Sequence, residues 1–260
     1  MFPKLFGVDG FFLPTYGVLV AAGFLVALWL TGKLARQSGL NPDKVTNLGV
    51  YVALAGLIGA KLFMFVVDFE YYRKNPGEIF TMATLQAGGV FYGGLLLALA
   101  AGYWLMRRDK LPPATTLDCF APGLALGQAL GRIGCFAAGC CWGTECDRAW
   151  AVTFRDPEAN RLTGVPLMVA LHPSQIYEAI LYLVVFAVVY WRFHKSHAPG
   201  IVMGWYLVLA ASARFLVEFF RFHQQSLPFG GPLSTAQWTA LALIALGVFL
   251  LLRRNAQPAQ

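Results

Sequence analysis

The sequence predicts an all-α, polytopic membrane protein with seven transmembrane helices, on three observations. Of the 260 residues, 58% are hydrophobic and only 13% charged, against about 25% charged in soluble domains, and the mean hydropathy is +0.59. The apolar residues gather into repeated runs of roughly 20, the length a helix needs to cross ~30 Å of hydrocarbon. Those runs are continuous and not alternating, which favours helices over a closed barrel, the other structure that satisfies a backbone in lipid.

The seven segments are 14–32, 46–67, 87–106, 118–137, 174–192, 201–220 and 233–252. Glycines and Pro122 interrupt the third and fourth. Residues 1–260 read as one integral membrane domain with no internal repeat. The longest connection, 142–171, carries Glu145, Asp147, Arg148, Arg155, Asp156, Glu158 and Arg161, which predicts a polar cap outside the bilayer. Lys4 is followed by GVDG before the first long apolar run, which is not the order of a signal peptide, so that run is expected to be retained.

Lysines and arginines near the segment ends set the orientation. The connections after segments one, three and five, with the tail, hold Lys33, Arg36, Lys44, Arg107, Arg108, Lys110, Arg192, Lys195, Arg253 and Arg254. Lys4, Arg73, Lys74, Arg148, Arg155 and Arg161 lie on the other side and are partly balanced by acids. The N-terminus is therefore expected outside and the C-terminus in the cytoplasm. The net charge of +7 is a topology signal with some attraction to anionic lipid, not a nucleic-acid signature.

Within this frame the stretch Gly127–Gly143, GQALGRIGCFAAGCCWG, places Arg132 inside an apolar run. A charge near a bilayer centre costs at least ~2.5–3.5 kcal/mol, so it marks a protein interior or a polar ligand. The topology brings further polar residues to the same outer level. Arg214 precedes Arg221 by about 10 Å of helix. Lys61 lies about two turns from the outer end of segment two, Tyr16 and Tyr92 sit just below theirs, and His172 begins segment five.

Arg214, Glu218 and Arg221 are spaced four and three apart and share a helix face. An internal ion-pair ladder explains Glu218, but one carboxylate cannot neutralise Lys61, Arg132, Arg214 and Arg221. The surplus asks for an anion, and a phosphate matches an arginine fork. Gly123, Gly127 and Gly131 would let the fourth helix pack closely on a neighbour. Asp118 reads as a cap where that helix starts. Pro173 suits a first helical turn, and His172 and Ser174 read as groups that hydrogen-bond a helix end, since no glycine elbow makes Ser174 a nucleophile. Cys135, Cys140, Cys141 and Cys146 match no paired zinc pattern, and a short-loop disulfide of Cys140 or Cys141 with Cys146 is the expected state.

GRIGCFAAGCCWG, then HPSQIYEA, then ARFLVEFFR, together with TYGVLVAAGFLVA, IGAKLFMF and GGVFYGG, resemble prolipoprotein diacylglyceryl transferases over nearly the whole chain and in the family's order. The resemblance implies an enzyme that moves the diacylglyceryl group of phosphatidylglycerol to the lipobox cysteine of a prolipoprotein signal peptide, releasing glycerol 1-phosphate, in the bacterial inner membrane. No metal or dissociable cofactor is expected. Arg132 matches the family's phosphatidylglycerol-binding arginine, and Arg214 an arginine that stabilises the leaving phosphate. Tyr16 matches a headgroup-holding tyrosine, Gly143 closes the family's motif, Glu218 matches a recurrent glutamate, and Lys61 is a further headgroup candidate.

The sequence also departs from the family. Its HGG is YGG at Tyr92, where the histidine is the residue proposed to activate the thiol. A free tyrosine titrates near ~10 and a histidine near ~6.5, so His172, Glu218 or the substrate phosphate are candidates to take the proton instead. Cys135, Ala138 and Cys140 replace asparagines and an acid, and Ala210 stands where a tyrosine is common. A phospholipid-binding homologue with another acceptor or no activity, an anion transporter, and a thiol–disulfide protein are the competing readings. The absence of paired broken helices and half-repeats speaks against the transporter.

Overall fold

A computed structural model describes residues 4–8, 11–81, 84, 89–222 and 231–255. The described chain forms two compact units, Ala35–Thr116 on the one hand and Met1–Leu34 with Leu117–Gln260 on the other. It is almost entirely helical, and each of the seven segments marked by the sequence carries a long helix.

The smaller unit is built on helices α2 (Pro42–Val67) and α4 (Phe91–Arg108), with a short α3 (Phe69–Lys74) and a 3₁₀ turn at Pro76–Phe80 between them. Helix α2 starts where the Asn41 side chain accepts from the Asp43 and Lys44 amides at 2.9 and 3.1 Å, with Pro42 in the first turn. Helix α4 starts at Phe91, four residues later than the apolar run suggests. Gly89 sits at φ 74° and the Val90 amide donates to the Ala60 carbonyl at 2.9 Å, so this stretch is spent on docking and not on helix. Backbone meets backbone between the two helices. A Cβ on Gly59 would lie 2.5 Å from the Gly93 carbonyl oxygen, one on Gly94 would lie 2.8 Å from that of Gly56, and one on Gly93 would overlap Phe63. Gly89, Gly93 and Gly94 of GGVFYGG are thus a packing device.

The larger unit opens with an antiparallel hairpin, β1 (Lys4–Val8) and β2 (Phe11–Pro14), which leads into α1 (Thr15–Gln37). Helix α5 (Pro113–Ala138) starts one turn before the apolar run, at a proline suited to that position. Against α1, a Cβ on Gly123 would lie 2.6 Å from Thr31 Oγ1 and 2.8 Å from the Ala27 carbonyl oxygen. Gly127 also faces α1, at Gly23, but a Cβ on Gly131 would meet nothing within 4 Å, so the expected glycine stripe is two residues long and not three.

Helices α7 (Ser174–Phe193), α8 (Ile201–Glu218) and α9 (Thr235–Asn255) complete this unit. Ala121, Ala125 and Ala129 of α5 pack with Tyr182, Val185 and Val189 of α7 and with Val202, Met203, Tyr206 and Ala210 of α8. Asp118 sits under this core and is buried. Its carboxylate caps α8 and not its own helix, accepting from the Gly200 amide at 2.5 Å and the Met203 amide at 2.8 Å. Between α5 and α7, residues 142–171 fold around Trp142, Phe154, Ala159, Val165 and Leu171, with paired strands β3 (Val152–Thr153) and β4 (Ala170–Leu171) and a short α6 (Pro157–Thr163).

Among the described residues, five helices are long and apolar enough to cross a membrane: Thr15–Gln37, Pro42–Val67, Ser174–Phe193, Ile201–Glu218 and Thr235–Arg253. They leave large apolar side chains such as Leu25, Trp29, Leu57, Val66, Ile180 and Phe249 exposed, the surface that lipid covers in a multi-pass membrane protein. Helices α4 and α5 fall outside that group because glycines, polar residues and terminal arginines dilute their apolar character.

Two stability outcomes follow from these contacts. Gly59→Ala sets a methyl against backbone that cannot yield and is expected to cost about 1–3 kcal/mol, read as a lower unfolding midpoint in detergent, whereas Gly131→Ala is expected to change it little. Asp118→Ala removes a buried acceptor from two helix-end amides and is expected to cost about 1.5–3 kcal/mol by the same measurement, with Asp118→Asn recovering part of the loss.

Candidate active site: a buried arginine–glutamate chain

Helices α5, α7 and α8 converge on an alternating row of charges. Arg132 Nη2 lies 3.0 Å from Glu178 Oε1, and Arg214 Nε lies 3.9 Å from the same oxygen. Arg214 Nη1 lies 2.5 Å from Glu218 Oε2, and Arg221 Nε lies 3.8 Å from it. A neutral donor joins each carboxylate: Tyr182 Oη donates to the same Glu178 Oε1 at 3.2 Å and Ser234 Oγ to Glu218 Oε1 at 2.7 Å. Helical spacing produces half of this chain, since Arg214, Glu218 and Arg221 follow one face around the end of α8. The other half needs α7 beside α5.

The row holds three guanidiniums and two carboxylates, a net charge of +1. The carboxylate side chains are 1% and 5% exposed while the guanidiniums are 17–22% exposed, so the surplus positive charge is on the accessible side. A single negative charge brought to that side completes the balance, and planar guanidiniums present paired donors to a phosphate.

Glu178 is the member that spacing along the sequence did not single out. It stands in the HPSQIYEA stretch and is 1% exposed. The signal was available: an acid inside an apolar helix meets the same criterion that marks Arg132. With Glu178 in place, two carboxylates and not one face the arginines, which corrects the expected surplus. Lys61 lies in the Ala35–Thr116 unit, where its ammonium donates to the Thr84 carbonyl at 2.5 Å. Tyr92 is in that unit too, 55% exposed, with its ring against Phe91.

The other candidates fall in the larger unit. Tyr16 of α1 packs beside Gly134, two residues beyond Arg132, where a Cβ would lie 3.5 Å from its ring. Gly143 holds the frame of the site. Its amide donates to the His172 carbonyl at 3.1 Å, the His172 amide to the Thr144 carbonyl at 2.9 Å and the Thr144 amide to the Phe220 carbonyl at 2.9 Å. A Cβ on Gly143 would lie 2.5 Å from the His172 carbonyl oxygen and 2.6 Å from that of Phe220. Gly143 therefore joins the start of α7 to the end of α8, where Arg221 follows. His172 packs on Phe220 and Tyr177, and its Nδ1 pairs with Tyr177 Oη at 3.1 Å, so Nε2 is the ring's remaining nitrogen.

The cysteines depart from expectation. All five are free thiols, and the disulfide expected between Cys140 or Cys141 and Cys146 is not formed. The Cys146 amide is committed to the Ala170 carbonyl at 3.0 Å. Ser174 Oγ donates instead to the Cys141 carbonyl at 3.0 Å and Gln175 Nε2 to that of Cys140 at 2.7 Å, which holds these two residues against the start of α7.

The family model described as prolipoprotein diacylglyceryl transferase matches residues 3–253. The chain is similar to proteins named phosphatidylglycerol–prolipoprotein diacylglyceryl transferase from Clostridium tetani, 32% identical with 96% of each chain covered, and from Nitratidesulfovibrio vulgaris, 34% identical with 92% of this chain and 89% of the relative covered. A protein of the same name from Ruegeria pomeroyi is 32% identical, with 98% and 94% covered. With a family match over nearly its full length and relatives above 30% identity across both partners, this chain belongs to the prolipoprotein diacylglyceryl transferase family.

Proposed function

We propose that this chain transfers the diacylglyceryl group of phosphatidylglycerol to the lipobox cysteine thiol of prolipoproteins, releasing glycerol 1-phosphate. The observation that carries the reading is the net +1 of the Arg132–Glu178–Arg214–Glu218–Arg221 row, which matches the single negative charge of a phosphodiester headgroup. The chain sits in the bacterial inner membrane with all seven long helices spanning it, the N-terminus outside, the C-terminus in the cytoplasm and residues 142–171 as an outer cap. Lipid then enters from the outer leaflet, and the precursor's signal peptide arrives from the same side.

The reaction is a displacement at a saturated glyceryl carbon. The thiolate sulfur forms the C–S bond, the C–O bond to phosphate breaks, and the electron pair leaves on the phosphate oxygen. Arg132 binds the headgroup and Arg214 stabilises the charge that gathers on the departing phosphate, with Tyr16 contributing its hydroxyl to the headgroup. Glu178 and Glu218 orient the guanidiniums. Because Glu218 is already shared between Arg214 and Arg221, it is a positioning group and not the proton acceptor. His172 Nε2 is the acceptor proposed for the thiol proton, with Tyr92 the alternative. Gly143 acts by holding the frame.

Reconstitution with phosphatidylglycerol vesicles and a lipobox peptide tests the reading, and a folded wild-type protein that forms no thioether product overturns it. Arg214→Ala is expected to lower kcat by about 10²–10³-fold while the protein remains folded, the loss typical of one preorganised donor to a developing charge. His172→Ala is expected to lower kcat strongly and Tyr92→Phe to retain most activity, and the reverse pattern assigns the proton transfer to Tyr92. Glu178→Gln leaves an uncompensated buried charge. It is expected to cost about 3–5 kcal/mol in the lipid-free protein, with added phosphatidylglycerol restoring part of the unfolding midpoint.

A further inference from the structure

Cys135, Cys140 and Cys141 stand beside the charged row and have no part in the transfer reaction. Their three Sγ atoms lie within 4.8 Å of one another, one thiol from the last turn of α5 and two from the turn that follows it. Three sulfurs bound to one ion at about 2.3 Å stand roughly 4 Å apart, so the thiols are already close to the spacing of a shared metal.

The arrangement is held from outside the thiols. Gly139 turns the chain at φ 78° and Cys141 sits at φ 61°, a left-handed conformation that is uncommon for a residue with a side chain. Ser174 and Gln175 at the start of α7 fix the Cys141 and Cys140 carbonyls by the hydrogen bonds described above. Gln175 is 1% exposed, and its Oε1 has no hydrogen-bond partner among the described residues, in a place where its amide nitrogen is already committed to Cys140. A strained backbone locked by buried side chains, with an unused buried acceptor beside it, is the structure of a built site and not of three incidental thiols.

From this convergence we propose that Cys135, Cys140 and Cys141 form a binding site for a soft, three-coordinate metal ion of the Cu(I) class. Thiolate sulfur selects such ions over harder ones. An incoming ion replaces the protons of the three thiols, which pass to water, and the nearby Arg132 and Arg221 guanidiniums offset the negative charge of the thiolate-bound ion.

The test is titration of the full-length, reduced protein in detergent with Cu(I) against a chromophoric Cu(I) chelator, under anaerobic conditions. One ion per chain is expected. Cys135→Ser, Cys140→Ser and Cys141→Ser should each weaken binding at least tenfold at an unchanged unfolding midpoint, and a Cys119→Ser, Cys146→Ser double variant should bind as wild type. Absence of binding, or equal loss in the double variant, overturns the site. So does a thiol count in the unfolded, unreduced protein that falls two short of the five cysteines and is restored by reductant, because the cluster then holds a disulfide. The readout is independent of diacylglyceryl transfer, so neither failure implies the other.

Discussion

The structure depends on placing charge inside a membrane protein without leaving it uncompensated. Five ionisable side chains sit where hydrocarbon would otherwise be, and alternation of sign is the only order in which they are tolerated together. Each carboxylate neutralises two neighbours, and Tyr182 and Ser234 each add a hydroxyl donor to one of them. This requirement fixes α5, α7 and α8 with respect to one another more tightly than their apolar contacts could, because small apolar side chains such as Ala121, Ala125 and Ala129 resist sliding only weakly. The odd count of three cations and two anions is the functional residue of the arrangement. A row of equal numbers would be a structural tie, whereas this one leaves a single positive charge in surplus.

Glycine determines how closely the backbone can approach elsewhere. At α2 with α4 and at α1 with α5, carbonyl oxygens stand where a side chain would begin. Lipid tails are as apolar as leucine, so such helices gain little from hiding hydrophobic surface and hold by van der Waals contact at short range. Gly143 applies the same logic to irregular backbone. By leaving room for the His172 and Phe220 carbonyls, it lets the segment after α5 join the first residues of α7 to the last of α8, and the site is framed at that junction.

The motifs that carry the family resemblance therefore divide by physical role. In GRIGCFAAGCCWG, Arg132 supplies charge, Gly143 supplies space and the cysteines form a separate cluster of thiols. In HPSQIYEA, Glu178 supplies the central counter-charge, while Ser174 and Gln175 hold the preceding turn. In ARFLVEFFR, two arginines flank one glutamate. Gly93 and Gly94 of GGVFYGG pack α4 against α2, which leaves Tyr92 as the chemical question in that segment.

By itself, the sequence determined the membrane setting and the positions of the seven long helices, and it singled out Arg132 and Arg214 as charges inside apolar runs, because continuous apolar runs and charges inside them are local signals. It also determined the pairing of Arg214 with Glu218, since helical periodicity alone places them together. Only the tertiary structure decided that Glu178 joins Arg132 to Arg214, that Asp118 caps α8 and not its own helix, and that Cys135 meets Cys140 and Cys141 while Cys146 stays with the cap. Each of these depends on which elements lie side by side. Helical spacing carries no information about partners on another helix, and a glycine-rich turn hides the direction in which the thiols after it will point.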